Sequence, residues 1–249
     1  MNQMQKIFWI GHRGYPELYP ENSLIGIEAA LKLGAEAIEI DLQASADGEP
    51  VLFHDEELYR LTGNAGLISD YPWEKLQTFS AHEPQRLGKK FYPTPLAHLQ
   101  QVVDLMLRYP CAQLFVEFKS EVFKEIPRLV FLNKAWEILQ PLRERVVLIS
   151  FDLYLLRLAQ ERFVCRVGWV LTRYDHQSQA RIRNNPVDFV ICNIRKLPPL
   201  PELPWPGPWS WFVYDVVDAE NTRACLDRGI HWIETWDIGA MLAVEQKTL

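Results

Sequence analysis

At 249 residues, 48% hydrophobic and 23% charged, the sequence is that of a globular protein with enough chain for a substantial core. A formal charge of −6 argues against a nucleic-acid binder, which needs a basic surface to displace counterions. No stretch approaches the roughly 18 apolar residues of a membrane span, and the apolar run before Gly11 is too short for a signal-peptide core, so a cytoplasmic protein without stable membrane insertion is expected.

Hydrophobic period and punctuation then give the elements in order. Ile7 to Gly11 reads as a buried strand, followed by a helix capped by Asn22 or Ser23, running to Leu33 and ended by Gly34. The second strand, Ala35 to Leu42, places Ala35, Ala37, Glu39 and Asp41 on one face and Ile38, Ile40 and Leu42 on the other. Asp47-Gly48 is a turn signal, and Val51 to His54 returns as a short arm. Residues 56–95 are turn-rich and dotted with aromatics, and read as a small insertion within a single domain spanning 1–249. A helix is expected over Leu96 to Tyr109, then a third strand, Gln113 to Lys119, with Glu117 and Lys119 on one face.

After that strand come a helix over Val122 to Leu139, a strand at Val146 to Ser150, and a helix at Leu153 to Arg162. A strand at Cys165 to Leu171, a helix near Asp175 to Arg183 and a strand at Val187 to Cys192 follow. LPPLPELPWPGPW is too proline-rich for a helix and reads as an extended loop. Trp209 to Asp215 and His231 to Thr235 are the last strands, each followed by a helix, Ala219 to Arg228 and Ile238 to Gln246. Eight strands alternating with helices point to an α/β fold, a (β/α)8 TIM barrel with a small insertion after the second strand. An open doubly wound sheet is the runner-up, and GHRGYPE lacks the G-x-G-x-x-G order that would favour it. The four cysteines, Cys111, Cys165, Cys192 and Cys225, stand far apart without a C-x-x-C pair and read as free thiols.

Active sites of such barrels gather at the C-terminal ends of the strands, where His12, Arg13, Glu39, Asp41, Glu117 and Lys119 all fall. Three buried carboxylates call for neutralisation, and a divalent cation with oxygen preference, Mg2+, Ca2+ or Mn2+, would supply it. Pairing of the acids with Arg13 and Lys119 alone is the competing reading. His12 and His54 together suit proton transfer near neutral pH, whereas His82, His98, His176 and His231 lack acidic company and read as surface residues.

GHRG, PENS, GAEAIEIDL, the DG turn, VLFHD and VEFK together resemble the signature set of the glycerophosphodiester phosphodiesterase family. LYRLTGNAG and LISFD continue the similarity, which runs in order over most of the chain and is thin between Asp70 and Pro93. The resemblance implies a TIM barrel in which Glu39, Asp41 and Glu117 hold one divalent cation, His12 and His54 are general acid and base, and Arg13 and Lys119 bind the phosphodiester. It implies hydrolysis of a small-molecule glycerophosphodiester to sn-glycerol 3-phosphate and an alcohol, with a homodimer left open. Three departures stand out: Trp236 occupies an acid's place after the last strand, Tyr214 stands where a tryptophan is usual, and Pro95 replaces a leucine. Tyr214 and Trp236 are therefore candidate substrate contacts.

Three other readings compete. A lysophospholipase D would need an apolar groove, which the insertion's aromatics and Trp205, Trp209 and Trp211 could line. A non-catalytic binding barrel predicts an eroded site, and every expected catalytic residue type is present. A metal-dependent amidohydrolase would open with H-x-H on the first strand, and Arg13 and Gly14 after His12 do not supply it.

Overall fold

The computed structural model describes residues 6–248. Nine strands form: β1 (Phe8–Gly11), β2 (Ala37–Ala44), β3 (Pro50–Leu52), β4 (Gln113–Phe118), β5 (Val146–Ser150), β6 (Arg166–Val170), β7 (Phe189–Asn193), β8 (Ser210–Tyr214) and β9 (Trp232–Thr235). All but β3 are parallel to their neighbours, and β1 pairs with both β2 and β9, which closes the sheet. With helices between the strands this is the (β/α)8 barrel that the alternation predicts. β3 folds back antiparallel on the top of β2, pairing Leu42 with Leu52, and so carries His54 to the mouth.

The strand alternation divides the side chains as expected. Ile38, Ile40, Leu42, Leu114, Val116 and Phe118 pack outward against the helices in the main core. Ala37, Phe115, Val147, Ile149, Phe189, Ile191 and Phe212 form a smaller cluster that plugs the barrel from within. Glu39 and Asp41 follow Ala37, and Glu117 follows Phe115, at two-residue steps along the same inner face. The barrel floor is thus apolar and its upper layer acidic.

The helices are α1 (Leu24–Leu33), α2 (Tyr59–Thr62), α3 (Trp73–Leu76), α4 (Pro84–Leu87), α5 (Leu99–Met106), α6 (Arg128–Leu139), α7 (Leu153–Arg162), α8 (His176–Arg183), α9 (Ala219–Leu226) and α10 (Ile238–Thr248). α1 has the predicted caps: Ser23 Oγ accepts from the Gly26 amide, and Gly34 closes the C-terminus with φ 103°. The helix expected over Val122 to Leu139 is divided. A 3-10 turn spans Ser120–Lys124 and α6 begins only after Pro127, whose ring excludes a helical backbone at the residue before it. β2 is shifted two residues onward, because β3 extends its pairing to Ala44.

Residues 56–95 contain α2, α3 and α4 over their own apolar cluster, where Leu58, Leu61, Ile68 and Leu76 pack with Tyr71, Trp73 and Phe79. Two histidines depart from the surface reading. His82 is buried with Nδ1 3.0 Å from the Ser80 carbonyl, and His98 caps α5 while its Nε2 lies 3.2 Å from Glu49. All four cysteines are free thiols. Among the described residues no helix is long and apolar enough to cross a membrane.

Candidate active site

The turn after β1 is built by its glycines. A Cβ on Gly11 would stand 2.4 Å from the Gly14 carbonyl oxygen, and one on Gly14, where φ is +93°, would stand 2.7 Å from the Ile27 backbone nitrogen. This tight turn leaves Arg13 in the left-handed region, with φ 52°, and drives its side chain into the barrel mouth. There its amide donates to Glu39 Oε2 at 3.2 Å, Nη1 donates to Glu21 at 2.9 Å, and Nε lies 2.8 Å from Asp41 Oδ2. The PENS segment completes the arrangement. Asn22 clamps Asp41 twice, its Nδ2 donating to Oδ2 at 2.9 Å and its Oδ1 accepting from the Asp41 amide at 3.1 Å.

Glu39, Asp41 and Glu117 present carboxylate oxygens that lie within 4.8 Å of one another. Parallel register sets Asp41 directly beside Glu117, and Lys119 reaches back to both, its Nζ 2.6 Å from Asp41 and 2.9 Å from Glu117. Burial pushes the Glu39 carboxyl well above the usual range, with Asp41, Glu234 and Glu117 adding repulsion. Glu117 is raised for the same first reason, desolvation, only partly offset by Lys119. Burial acts on Asp41 too, but Arg13 and Lys119 outweigh it and hold Asp41 well below the carboxylate range. The two cations therefore satisfy Asp41 and leave the cluster under-neutralised. Glu39 Oε1 is buried without a hydrogen-bond partner. An all-oxygen donor set with an orphaned, repelled carboxylate fits a hard divalent cation.

His12 is 9% exposed, its Nε2 4.0 Å from Glu39 and its ring edge-on to Trp236 with centroids 4.9 Å apart. Burial, then the neighbouring Arg13, lowers its pKa well below the ordinary value, which keeps the imidazole neutral. His54 stands in the arm after β3, and its Nδ1 lies 2.6 Å from Asp55 Oδ1. Asp55 in turn accepts from Arg60 of α2 at 2.6 and 3.0 Å, and Arg60 also donates to Glu21 at 2.8 and 2.9 Å. A carboxylate on Nδ1 fixes the ring and leaves Nε2 as the working nitrogen.

A cavity of about 280 Å³ is lined by His12, Arg13, Glu39, His54, Glu117, Lys119, Tyr214 and Trp236, with Asp41 bonded just behind it. All nine sequence candidates thus converge. A second, more open groove of about 620 Å³ leads outward past His54, Glu117, Lys119 and Phe151. Tyr214 and Trp236 stand at the ends of β8 and β9, and the Arg13 guanidinium carbon lies 5.5 Å from the Trp236 ring centre. The other tryptophans do not reach the mouth. Trp205 stacks on Tyr174 at 4.0 Å and accepts from Trp211 Nε1 through its carbonyl, which pins the proline-rich loop, while Trp209 lies with Phe8 and His231 around a separate depression.

Sequence reasoning singled out neither Glu21, Asn22, Asp55 nor Arg60 as supports, nor Glu234 as a buried acid. Glu21 and Asn22 were visible within PENS and Asp55 beside His54, yet Glu21 and Asn22 find their side-chain partners Arg13, Asp41 and Arg60 at 8 to 39 positions away, and Asp55 also meets Arg60 five positions on. For Glu234 the one signal was an acid interrupting the apolar run of β9.

A family model described as the glycerophosphoryl diester phosphodiesterase family matches residues 12–179. Among curated relatives, a glycerophosphodiester phosphodiesterase of Bacillus altitudinis is 36% identical over 121 residues, 49% of this chain and 48% of its own length. One of Caldanaerobacter subterraneus is 31% identical over 155 residues, 61% of each. The chain therefore spans about half the length of the curated relatives it matches. Of solved structures, an Oleispira antarctica phosphodiesterase in complex with the product sn-glycerol-3-phosphate superposes with TM-score 0.81 at 19% identity, covering 95% of this chain and 96% of that one. A glycerophosphodiester phosphodiesterase from Thermotoga maritima gives TM-score 0.71 at 21% identity, covering 97% and 100%. Both share the barrel fold.

Proposed function

The chain belongs to the glycerophosphoryl diester phosphodiesterase family, and from that premise we propose that it hydrolyses glycerophosphodiesters, such as glycerophosphocholine or glycerophosphoethanolamine, to sn-glycerol 3-phosphate and the free alcohol. The observation that best supports this reading is the convergence of two histidines, two cations and an acid cluster on one cavity. Glu39, Asp41 and Glu117 would hold one divalent cation, Mg2+ or Ca2+ with Mn2+ also admissible, which supplies Lewis-acid polarisation of a phosphoryl oxygen.

The protein's own residues do the rest. Arg13 uses Nε and Nη1 on Asp41 and Glu21, which leaves Nη2 to donate to a phosphodiester oxygen, and Lys119 adds a point charge beside it. One histidine accepts the proton of the attacking hydroxyl, from water or from the glycerol moiety itself through a cyclic phosphate. The other protonates the oxygen of the departing alcohol as its bond to phosphorus breaks. Trp236 and Tyr214 wall the cavity and orient the diester. The four free thiols support the expected cytoplasmic setting.

Of the insertion's aromatics, Tyr71, Trp73 and Phe79 pack into their own cluster and supply no acyl groove of the kind a lysophospholipase D needs, while Tyr59 and Tyr92 stay exposed. A substrate panel tests the proposal: release of sn-glycerol 3-phosphate from glycerophosphocholine and glycerophosphoethanolamine, and of lysophosphatidic acid from lysophosphatidylcholine. Turnover of the water-soluble diesters is expected. Turnover confined to the lysolipid would overturn the substrate, and none on any of them would overturn the activity.

A further inference from the structure

One buried acid at the mouth has no part in the scheme above. Glu234 lies on β9 in register with Ile10 of β1, and it is 3% exposed. Its Oε2 is 3.9 Å from His12 Nδ1, and its Oε1 has no hydrogen-bond partner. Among the described residues no Lys or Arg forms an ion pair with it. His12 Nδ1 is equally unpartnered, and so is Glu39 Oε1. Three polar side chains, each about nine-tenths buried or more, thus carry unsatisfied atoms and lie side by side. One nitrogen of His12 and one oxygen from each of Glu39 and Glu234 lie within 4.8 Å of one another.

Burying an uncompensated carboxylate is costly, and two of them beside a neutral imidazole need a positive charge that Arg13 and Lys119, already engaged, do not supply. We propose that His12, Glu39 and Glu234 form a second cation site, of the kind that takes a transition-metal ion such as Zn2+, sharing Glu39 with the Glu39–Asp41–Glu117 cluster. The donor chemistry separates the two sites. Three carboxylates suit Mg2+ or Ca2+, whereas an imidazole with two carboxylates and a fourth position open to water is a zinc-type set. Ligand atoms around such an ion stand about 3.3 Å apart, given bonds of about 2.0 Å, so the three side chains close modestly on binding.

Occupation has a functional consequence, which rests on His12 being a proton-transfer group. An ion on the imidazole takes a lone pair that proton transfer needs, so zinc added to the Mg2+-loaded protein inhibits. The binding claim itself does not depend on turnover.

The test is a zinc titration of the metal-stripped full chain, read by equilibrium dialysis with elemental analysis. The wild type is expected to bind two equivalents, and Glu234→Ala, Glu234→Gln and Glu117→Ala one each. Glu234→Gln keeps the side-chain volume, so its circular dichroism and thermal midpoint show whether the fold survives. As a further readout, Co2+ in the wild type should give the intense visible absorption of a low-coordinate site, weakened in Glu234→Gln. Zinc stoichiometry unchanged between the wild type and a folded Glu234→Gln, whether one equivalent or two, would overturn the second site. Two equivalents in a protein that turns over no glycerophosphodiester would uphold this site while removing the proposed activity.

Discussion

Asp41 and Glu39 lie two residues apart on one strand and are both nearly inaccessible, yet their carboxyl groups are pushed in opposite directions. The difference is the company each keeps: Asp41 has Arg13, Lys119 and Asn22, while Glu39 faces other acids. Glu39 and Glu117 therefore hold protons at higher pH than ordinary carboxyls, and a bound cation must displace them. Metal binding is expected to release protons and to tighten as pH rises. Calorimetry in buffers of different ionisation enthalpy measures the release, and buffer-independent heats would contradict it. His54 gives a second prediction at this scale. Asp55 orients its ring from 2.6 Å, so Asp55→Asn should lower kcat with little change in KM, by less than the ~10²–10⁴-fold loss expected of His54→Ala. A matching rise in KM would instead place Asp55 in substrate binding.

Short elements with strong local signals were the legible ones. α1 was readable to within a residue because Asn22-Ser23 and Gly34 mark its ends chemically. α6 was not, since apolar residues on both sides of Pro127 hid the break that the proline itself announces. The site followed the same rule. Glu39, Asp41, Glu117 and Lys119 could be placed from a two-residue period, whereas Glu21 and Arg60, 39 positions apart, meet only because α2 packs back against the PENS segment. That contact is an anchor between elements. Glu21 is almost wholly buried, and Arg60→Ala would leave its carboxylate with Arg13 alone. Loss of about 1–3 kcal/mol is expected, together with faster proteolysis within 56–95. Unchanged stability and cleavage would show that α2 is held by its apolar contacts instead.

For the molecule as a whole, the acidic upper layer works against folding unless protons or a cation neutralise it. Burial raises Glu39, Glu117 and Glu234, so between the ordinary carboxyl value of about 4.3 and their raised values the folded chain binds more protons than the unfolded one. Stability of the metal-free protein must then increase as pH falls through that window. His12, kept neutral by burial, opposes this trend. The thermal midpoint of chelated protein is expected to rise as pH falls toward the ordinary carboxyl value, while the increment added by Mg2+ shrinks. A midpoint that falls steadily with acidification would contradict the acidic layer's role. The barrel itself was legible because eight apolar segments alternate with helices and the loop after the first strand lacks the glycine order of an open doubly wound sheet. Glu234 was hidden because its significance lies in β1 and β9 becoming neighbours, the last closure the chain makes. The proposed function makes this closed end a metal-dependent phosphodiesterase site using both histidines. Release of sn-glycerol 3-phosphate from glycerophosphocholine, measured after metal stripping and again after Mg2+ or Ca2+ is returned, tests it most directly. Activity is expected to be lost on stripping, restored by the cation in the wild type, and restored in neither Glu39→Ala nor His12→Ala. Full turnover in excess chelator, or wild-type rates in both variants, would contradict it.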